Sequence, residues 1–118
     1  MEKEKNIEVS LLLDFYGQLL KPSGKEALEL YYNEDLSLSE ISEQLGITRQ
    51  GVYDNVKRSE QRLFELEEKL GLFKRFRELE QGLDEIADEA KKIYENSDNT
   101  QIISLAKDIE CKASILKE

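Results

Sequence analysis

Between Leu36 and Leu63 the chain reads LSLSEISEQLGITRQGVYDNVKRSEQRL, and the spacing within that run leaves few folds open. Ser37 and Glu40 stand three apart at the head of an apolar set, Leu38, Ile41 and Leu45, that repeats at i, i+3, i+7. That is the spacing of a capping box opening a helix with one buried face. Ser42 is small where a second helix must come close. Gly46 follows, the residue type that takes the positive φ a helix C-terminus wants. Ile47 is expected to fill the wedge beneath the turn, Thr48 to cap the next helix, and Val52 and Val56 to pin that helix to a core. Helix, tight turn and anchored helix in this order make a helix-turn-helix, whose second helix enters a DNA major groove in proteins that read sequence.

The rest of the chain has helical periodicity and no strand-like alternation, so the fold class is all-α. Val9, Leu12, Leu13, Tyr16 and Leu20 line one stripe of a first helix from Ile7 to about Leu20. "KPSG" stops it, and Ser23 with Glu26 repeats the capping-box spacing for a short second helix with Ala27, Leu28, Leu30 and Tyr31 apolar. "YYNEDLS" is polar enough to serve as its exit loop. The helix opening at Arg49 carries the seam Val52, Val56, Ser59, Leu63, Leu66, Leu70. A second seam, Leu72, Phe76, Leu79, Leu83, Ile86, Ala90, Ile93, keeps alternating heptad steps but is out of phase with the first. The slip falls at Gly71, read as a break between helices, with a bend in one long helix as the alternative. A last helix fits Gln101 to about Leu116. Residues 1–70 then form a helix-turn-helix domain and residues 71–118 a C-terminal pair of amphipathic helices. Two short helices have too little to bury against each other, so Phe76, Leu79, Leu83, Ile86 and Ile93 are expected to form an oligomer interface, and the protein a homo-oligomer.

Charge separates these regions. The chain of 118 residues carries a formal −9, yet residues 37–62 hold four basic and four acidic side chains. The acidity sits on the flanks, as solvated helix faces. Without histidine, a glycine-rich phosphate loop or metal-ligand spacing, no catalytic residue, metal site or cofactor is expected, and the protein is read as a non-enzyme. The acid pairs Asp84/Glu85 and Asp88/Glu89 read as a wet helix face, and Cys111, the single cysteine, as a packed small residue. One free thiol suits a reducing compartment. The start "MEKEKNIEVS" has no apolar signal region and no run is long enough to span a bilayer, so a cytoplasmic protein away from membranes is expected.

The outward face of the second motif helix follows from its phase. Opposite Val52, Val56, Ser59 and Leu63 lie Gln50, Lys57 and Gln61 with Asp54 among them, flanked by Arg49, Tyr53 and Arg58. Gln and Arg bond base edges, and Lys and Arg neutralise phosphates. Thr48, Arg49, Gln50, Tyr53, Asp54, Lys57, Arg58 and Gln61 are therefore the candidate contacts to double-stranded DNA. Asp54 is the awkward member: it meets negative potential unless it accepts from a cytosine amino group or orients a neighbouring reader.

"DFYGQLL", "LYYNEDLSLSEISEQLGITRQGVYDNVKRSEQRL" and "EEKLGL" together resemble the YlxM family, small bacterial proteins whose helix-turn-helix is similar to region 4 of sigma factors. The resemblance spans Leu12 to about Phe76, with the C-terminal helices matching by pattern alone. It implies a sigma-region-4-like N-terminal bundle. Region 4 recognition helices run "TRERIRQIE" or similar. Thr48 and Arg49 carry over as cap and phosphate or base contact, whereas Gly51 and Tyr53 stand where basic residues would be, so promoter recognition does not transfer. Gly51 also weakens the first turn by roughly 1 kcal/mol relative to Ala. The family's genes lie beside those of the signal recognition particle GTPase and its receptor. The resemblance thus implies two roles: a DNA-binding regulator linked to that pathway, or an accessory protein that modulates the GTPase by contacting the particle's protein or its complex.

Overall fold

The computed structural model describes residues 6–118. The opening residues 1–5, on which part of the signal-segment reading rests, lie outside them. Among the described residues there are six α-helices and no strand: α1 (Ile7–Tyr16), α2 (Pro22–Leu28), α3 (Leu38–Leu45), α4 (Arg49–Leu70), α5 (Leu72–Glu95) and α6 (Thr100–Lys117). The chain is all-α, as its periodicity requires. Two compact units divide it, Met1–Phe73 and Lys74–Glu118.

In the first unit the core is drawn from four helices. Val9, Leu12, Leu13 and Tyr16 of α1 meet Ala27 and Leu28 of α2, Leu38 and Ile41 of α3, and Val52, Val56, Leu63 and Leu66 of α4. Fully burying a side chain of this size stabilises by about 1.5–3 kcal/mol, so a handful of them anchors α4 against the other three. Ile41 is wholly buried. Its truncation to Ala would leave a cavity and cost about 2–5 kcal/mol.

Several boundaries differ from the sequence reading, each for a local reason. The first helix ends at Tyr16, and a 3-10 turn, Gly17–Leu19, carries the chain on to a buried Leu20. Ser23 does not cap α2: Lys21 is the N-cap and Pro22 takes the first helical position. Proline's fixed φ suits that position, so the helix starts two residues ahead of where Ser23 could cap it from outside. "YYNEDLS" is not all loop. A π-helical turn, Glu29–Asn33, extends α2 and carries the buried Tyr31. The chain then leaves through Asp35 at φ 56°. Leu70, the last residue of the first seam, is half exposed.

Gly71 breaks the helix. It sits at φ 62° and its N–H donates to Glu67 O at 2.8 Å, closing α4 in the left-handed conformation that glycine tolerates. A small network fixes the restart. The buried Tyr16 hydroxyl donates to Glu67 Oε1 at 2.6 Å, while Leu72 N–H donates to the Tyr16 oxygen at 3.2 Å and Phe73 N–H to Glu67 Oε1 at 3.1 Å. Two of the orphan donors of α5 are satisfied this way. Burial, and then the bond to Glu67, pushes the Tyr16 pKa up.

In the second unit α5 and α6 run antiparallel. Lys117 Nζ donates to Asp84 Oδ1 at 2.6 Å near one end and Tyr94 Oη to Glu110 Oε1 at 3.0 Å further along. Asn99 Oδ1 caps α6, accepting from Gln101 N–H and Ile102 N–H. The helices meet through small residues: Ala90, Ala106 and Ala113 are the buried ones. Phe76, Leu79, Ile86 and Ile93 are 41–52% exposed, and Leu83 is half-buried. The expectation for Cys111 fails, because it lies on the face of α6 away from Ala106 and Ala113 and is exposed. Asp84, Glu85, Asp88 and Glu89 are all exposed, the wet face expected of them, and two of them pair with lysines: Asp84 with Lys117, and Asp88 with Lys92 at 3.5 Å.

Candidate nucleic-acid interface

The α3–turn–α4 element is built by local bonds that each residue type was suited to make. At its head Ser37 Oγ accepts from Glu40 N–H at 3.1 Å, and Glu40 Oε1 accepts from Ser37 N–H at 2.9 Å, a complete capping box. Ser42 is half-buried and its hydroxyl donates to Ser39 O at 2.7 Å. At the turn Gly46 takes φ 72°, and Ser42 O accepts from both Gly46 N–H and Ile47 N–H, at 2.9 and 3.2 Å. Thr48 Oγ1 then accepts from Gly51 N–H at 2.9 Å and opens α4.

Two details of this element depart from expectation. Ile47 does not fill a buried wedge; it is 42% exposed and lies over the start of α4, toward Gly51. Leu38, Ile41 and Val52 are buried core residues of this element, and Ile47 is not among them. Gly51, read as a weak point of the helix, serves the cap. A Cβ there would stand 3.1 Å from Thr48 Oγ1 and 3.7 Å from Ile47 Cδ1.

Thr48, Arg49, Gln50, Tyr53, Asp54, Lys57, Arg58 and Gln61 are all exposed. They do not stand as independent groups. Gln50 Nε2 donates to Asp54 Oδ1 at 3.0 Å across one turn. Lys57 Nζ lies 5.6 Å from the Tyr53 ring centroid and 3.6 Å from Glu60 Oε1. Glu60 is held in turn by the Tyr32 hydroxyl, which donates to Glu60 Oε2 at 2.5 Å. Burial, followed by this bond, raises the Tyr32 pKa. Leu38, Arg49, Gln50 and Tyr53 line an open cleft of about 360 Å³ where α3 and the first turn of α4 come together. The sequence reading places Tyr32 in an exit loop and gives Glu60 no role; it does not foresee their bond. Twenty-eight residues separate them, and no local spacing announces a bond between the π-helical turn and α4.

No group of three or more metal-ligating side chains is gathered among the described residues, and no helix there is long and apolar enough to cross a membrane.

An anchored second helix with a polar outer face, reached through a glycine turn from a capped first helix, defines a small all-α helix-turn-helix protein. The chain belongs to the UPF0122 family: the family model described as "putative helix-turn-helix protein, YlxM / p13 like" matches residues 3–106. It is 46% identical over 107 residues to a UPF0122 protein of Acetivibrio thermocellus, covering 91% of this chain and 92% of that one. A UPF0122 protein of Bacillus velezensis is 41% identical over 103 residues, covering 87% and 94%. One from a Geobacillus species is 38% identical over 107 residues, covering 91% and 96%.

Proposed function

We propose that the protein is a non-enzymatic DNA-binding regulator that lays α4 in a major groove. The observation that carries this reading is the sidedness of α4. Val52, Val56, Leu63 and Leu66 are buried, while Gln50, Asp54, Lys57, Arg58 and Gln61 face solvent along the same helix. Arg49, Lys57 and Arg58 are the phosphate-neutralising groups, with Thr48 and the first turn of α4 at the groove edge. Tyr53 supports Lys57 from beneath its ammonium.

Asp54 gains a role in this reading. Its bond from Gln50 engages the Gln50 amide nitrogen, so the pair turns mainly acceptor oxygens toward a base edge. Acceptors select the exocyclic amino groups of cytosine or adenine. Lys57 is partly neutralised by Glu60, so fewer phosphates are neutralised and non-specific attraction is weak. Two copies joined through Phe76, Leu79, Leu83, Ile86 and Ile93 would offset that weakness by presenting two reading helices together. The exposure of most of that row, in a unit whose buried residues are alanines, supports such self-association.

A second reading draws on the acidic flanks. Residues 63–118 hold nine basic and fourteen acidic side chains, a balance that steers toward a basic partner. The signal recognition particle's protein, or its RNA-bound complex, is the partner implied by the family's gene neighbourhood. Fluorescence anisotropy separates the two. Labelled duplex from the gene's own upstream region and an unrelated duplex are titrated alongside the particle protein with and without its RNA. Sequence-preferring DNA binding at physiological salt upholds the regulator; binding to the particle with none to DNA replaces it with the accessory role.

A further inference from the structure

A cleft of about 470 Å³ lies between the start of α2 and the middle of α4, on the flank of α4 away from the Arg49–Tyr53 cleft. Three cations line it, Lys21, Arg58 and Arg62, with the neutral donors Ser23, Asn55 and Ser59, and no carboxylate is among the lining residues. That composition is unusual on a chain of net −9. Gly24 forms the floor and sets how closely α2 approaches. A Cβ there would stand 2.3 Å from Ser59 Oγ and 3.8 Å from Asn55 Oδ1.

The cations are underused by the protein itself. Arg62 makes one long ion pair, 3.7 Å to Glu65, with both side chains about half exposed. Lys21 and Arg58 have no ion-pair partner among the described residues. Arg58 and Arg62 stand four apart on one helix, where like charges repel. An anion in the cleft would relieve the repulsion and meet two guanidinium forks, an ammonium and several neutral donors.

We infer that the α2–α4 cleft is a phosphate-binding site, formed by Lys21, Arg58 and Arg62 with Ser23 and Asn55. The phosphate comes either from a nucleic-acid backbone or from a free phosphorylated ligand. The first source rests on the reading of α4 given above: with α4 in a groove, this cleft and the Arg49–Tyr53 cleft lie on its two flanks, each toward one phosphate strand. The second source is independent of that reading, and the volume suits a nucleotide-sized molecule.

The test uses the full chain and the variant Lys21→Gln with Arg62→Gln. Both positions are exposed and neither belongs to the outward set on α4, so fold and base contacts are spared. A charge-matched control is Lys91→Gln with Lys112→Gln. Two measurements are made: the salt dependence of binding to a short labelled duplex, and amide shifts of Gly24 and Ser59 on adding inorganic pyrophosphate. For a backbone phosphate, the variant's slope of log K against log salt is shallower by about 0.9 for each phosphate it no longer neutralises, with the control unchanged. For a free ligand, pyrophosphate shifts Gly24 and Ser59 in the wild type and in the control but not in the variant. If duplex binds with one slope in all three proteins and pyrophosphate moves neither amide, the site is refuted while the DNA reading stands. Pyrophosphate shifts without any duplex binding keep the site and remove the DNA reading. Absence of both removes both.

Discussion

Gln50 donates to Asp54 at 3.0 Å across one turn of α4, so a carboxylate that would repel DNA is tied to the side chain best suited to read it. Asp54→Asn removes the charge and keeps the shape. Non-specific duplex affinity should rise, and discrimination between preferred and unrelated duplexes should fall by about 1–3 kcal/mol, the worth of one good base pairing. Competition anisotropy measures both. A variant with unchanged discrimination would show that Asp54 takes no part in reading.

Gly24 is pressed against Ser59, where an added Cβ would stand 2.3 Å from the hydroxyl oxygen. Gly24→Ala should cost about 1–3 kcal/mol by overpacking. Ser59→Ala removes the colliding atom, and in that background the same substitution should be neutral or stabilising, since Ala is the better helix former. A double-mutant cycle from urea denaturation should give a coupling of at least about 0.5 kcal/mol. Additive effects would mean that α2 simply shifts.

Tyr32 links the π-helical turn to α4 through Glu60, and its pKa lies above the ordinary 10.0. The raised value means that the native state holds the phenol proton more tightly than the unfolded chain. Its stabilisation is therefore complete below pH 10.0 and is lost as pH climbs from there through the raised value. Tyr16, raised for the same reasons, adds to the loss. Tyr32→Phe should lower stability by about 1 kcal/mol at neutral pH and flatten its alkaline decline. Denaturation midpoints at neutral pH and above pH 10 check this; an unaltered alkaline slope would rule Tyr32 out as a source.

Leu83 sits in the middle of the α5 row and is half-buried within a single chain. Leu83→Asp puts a charge where self-association needs an apolar surface. Sedimentation should show the variant at the 13.7 kDa of one chain and the wild type above it. Equal masses would refute the α5 interface.

The helix-turn-helix was legible because each of its signals is local. Ser37 with Glu40, Gly46, and Thr48 with Gly51 act within four residues of one another, and the structure makes those bonds. Ser23 with Glu26 had the same spacing and failed, because Pro22 claims the first helical position in front of it. The spacing supplies a capping box only when nothing upstream starts the helix sooner. Other features depend on residues far apart in the chain. Tyr16 and Glu67, which shape the restart at Leu72, are separated by 51 residues. Lys21 and Arg62 come to one cleft from two helices, and neither belongs to a motif. The outward set on α4 followed from phase, but its pairing did not. Phase says which way Lys57 points, not that Glu60 and Tyr32 wait beside it.

Whether the outer face of α4 reads DNA is tested most sharply by Arg49→Ala with Lys57→Ala. Both side chains are exposed, so helicity by circular dichroism should be unchanged. Duplex binding at physiological salt should weaken, and its salt dependence should become shallower by about 0.9 for each phosphate no longer neutralised. Duplex binding that survives the pair with the same affinity and the same salt slope would contradict a DNA-reading α4.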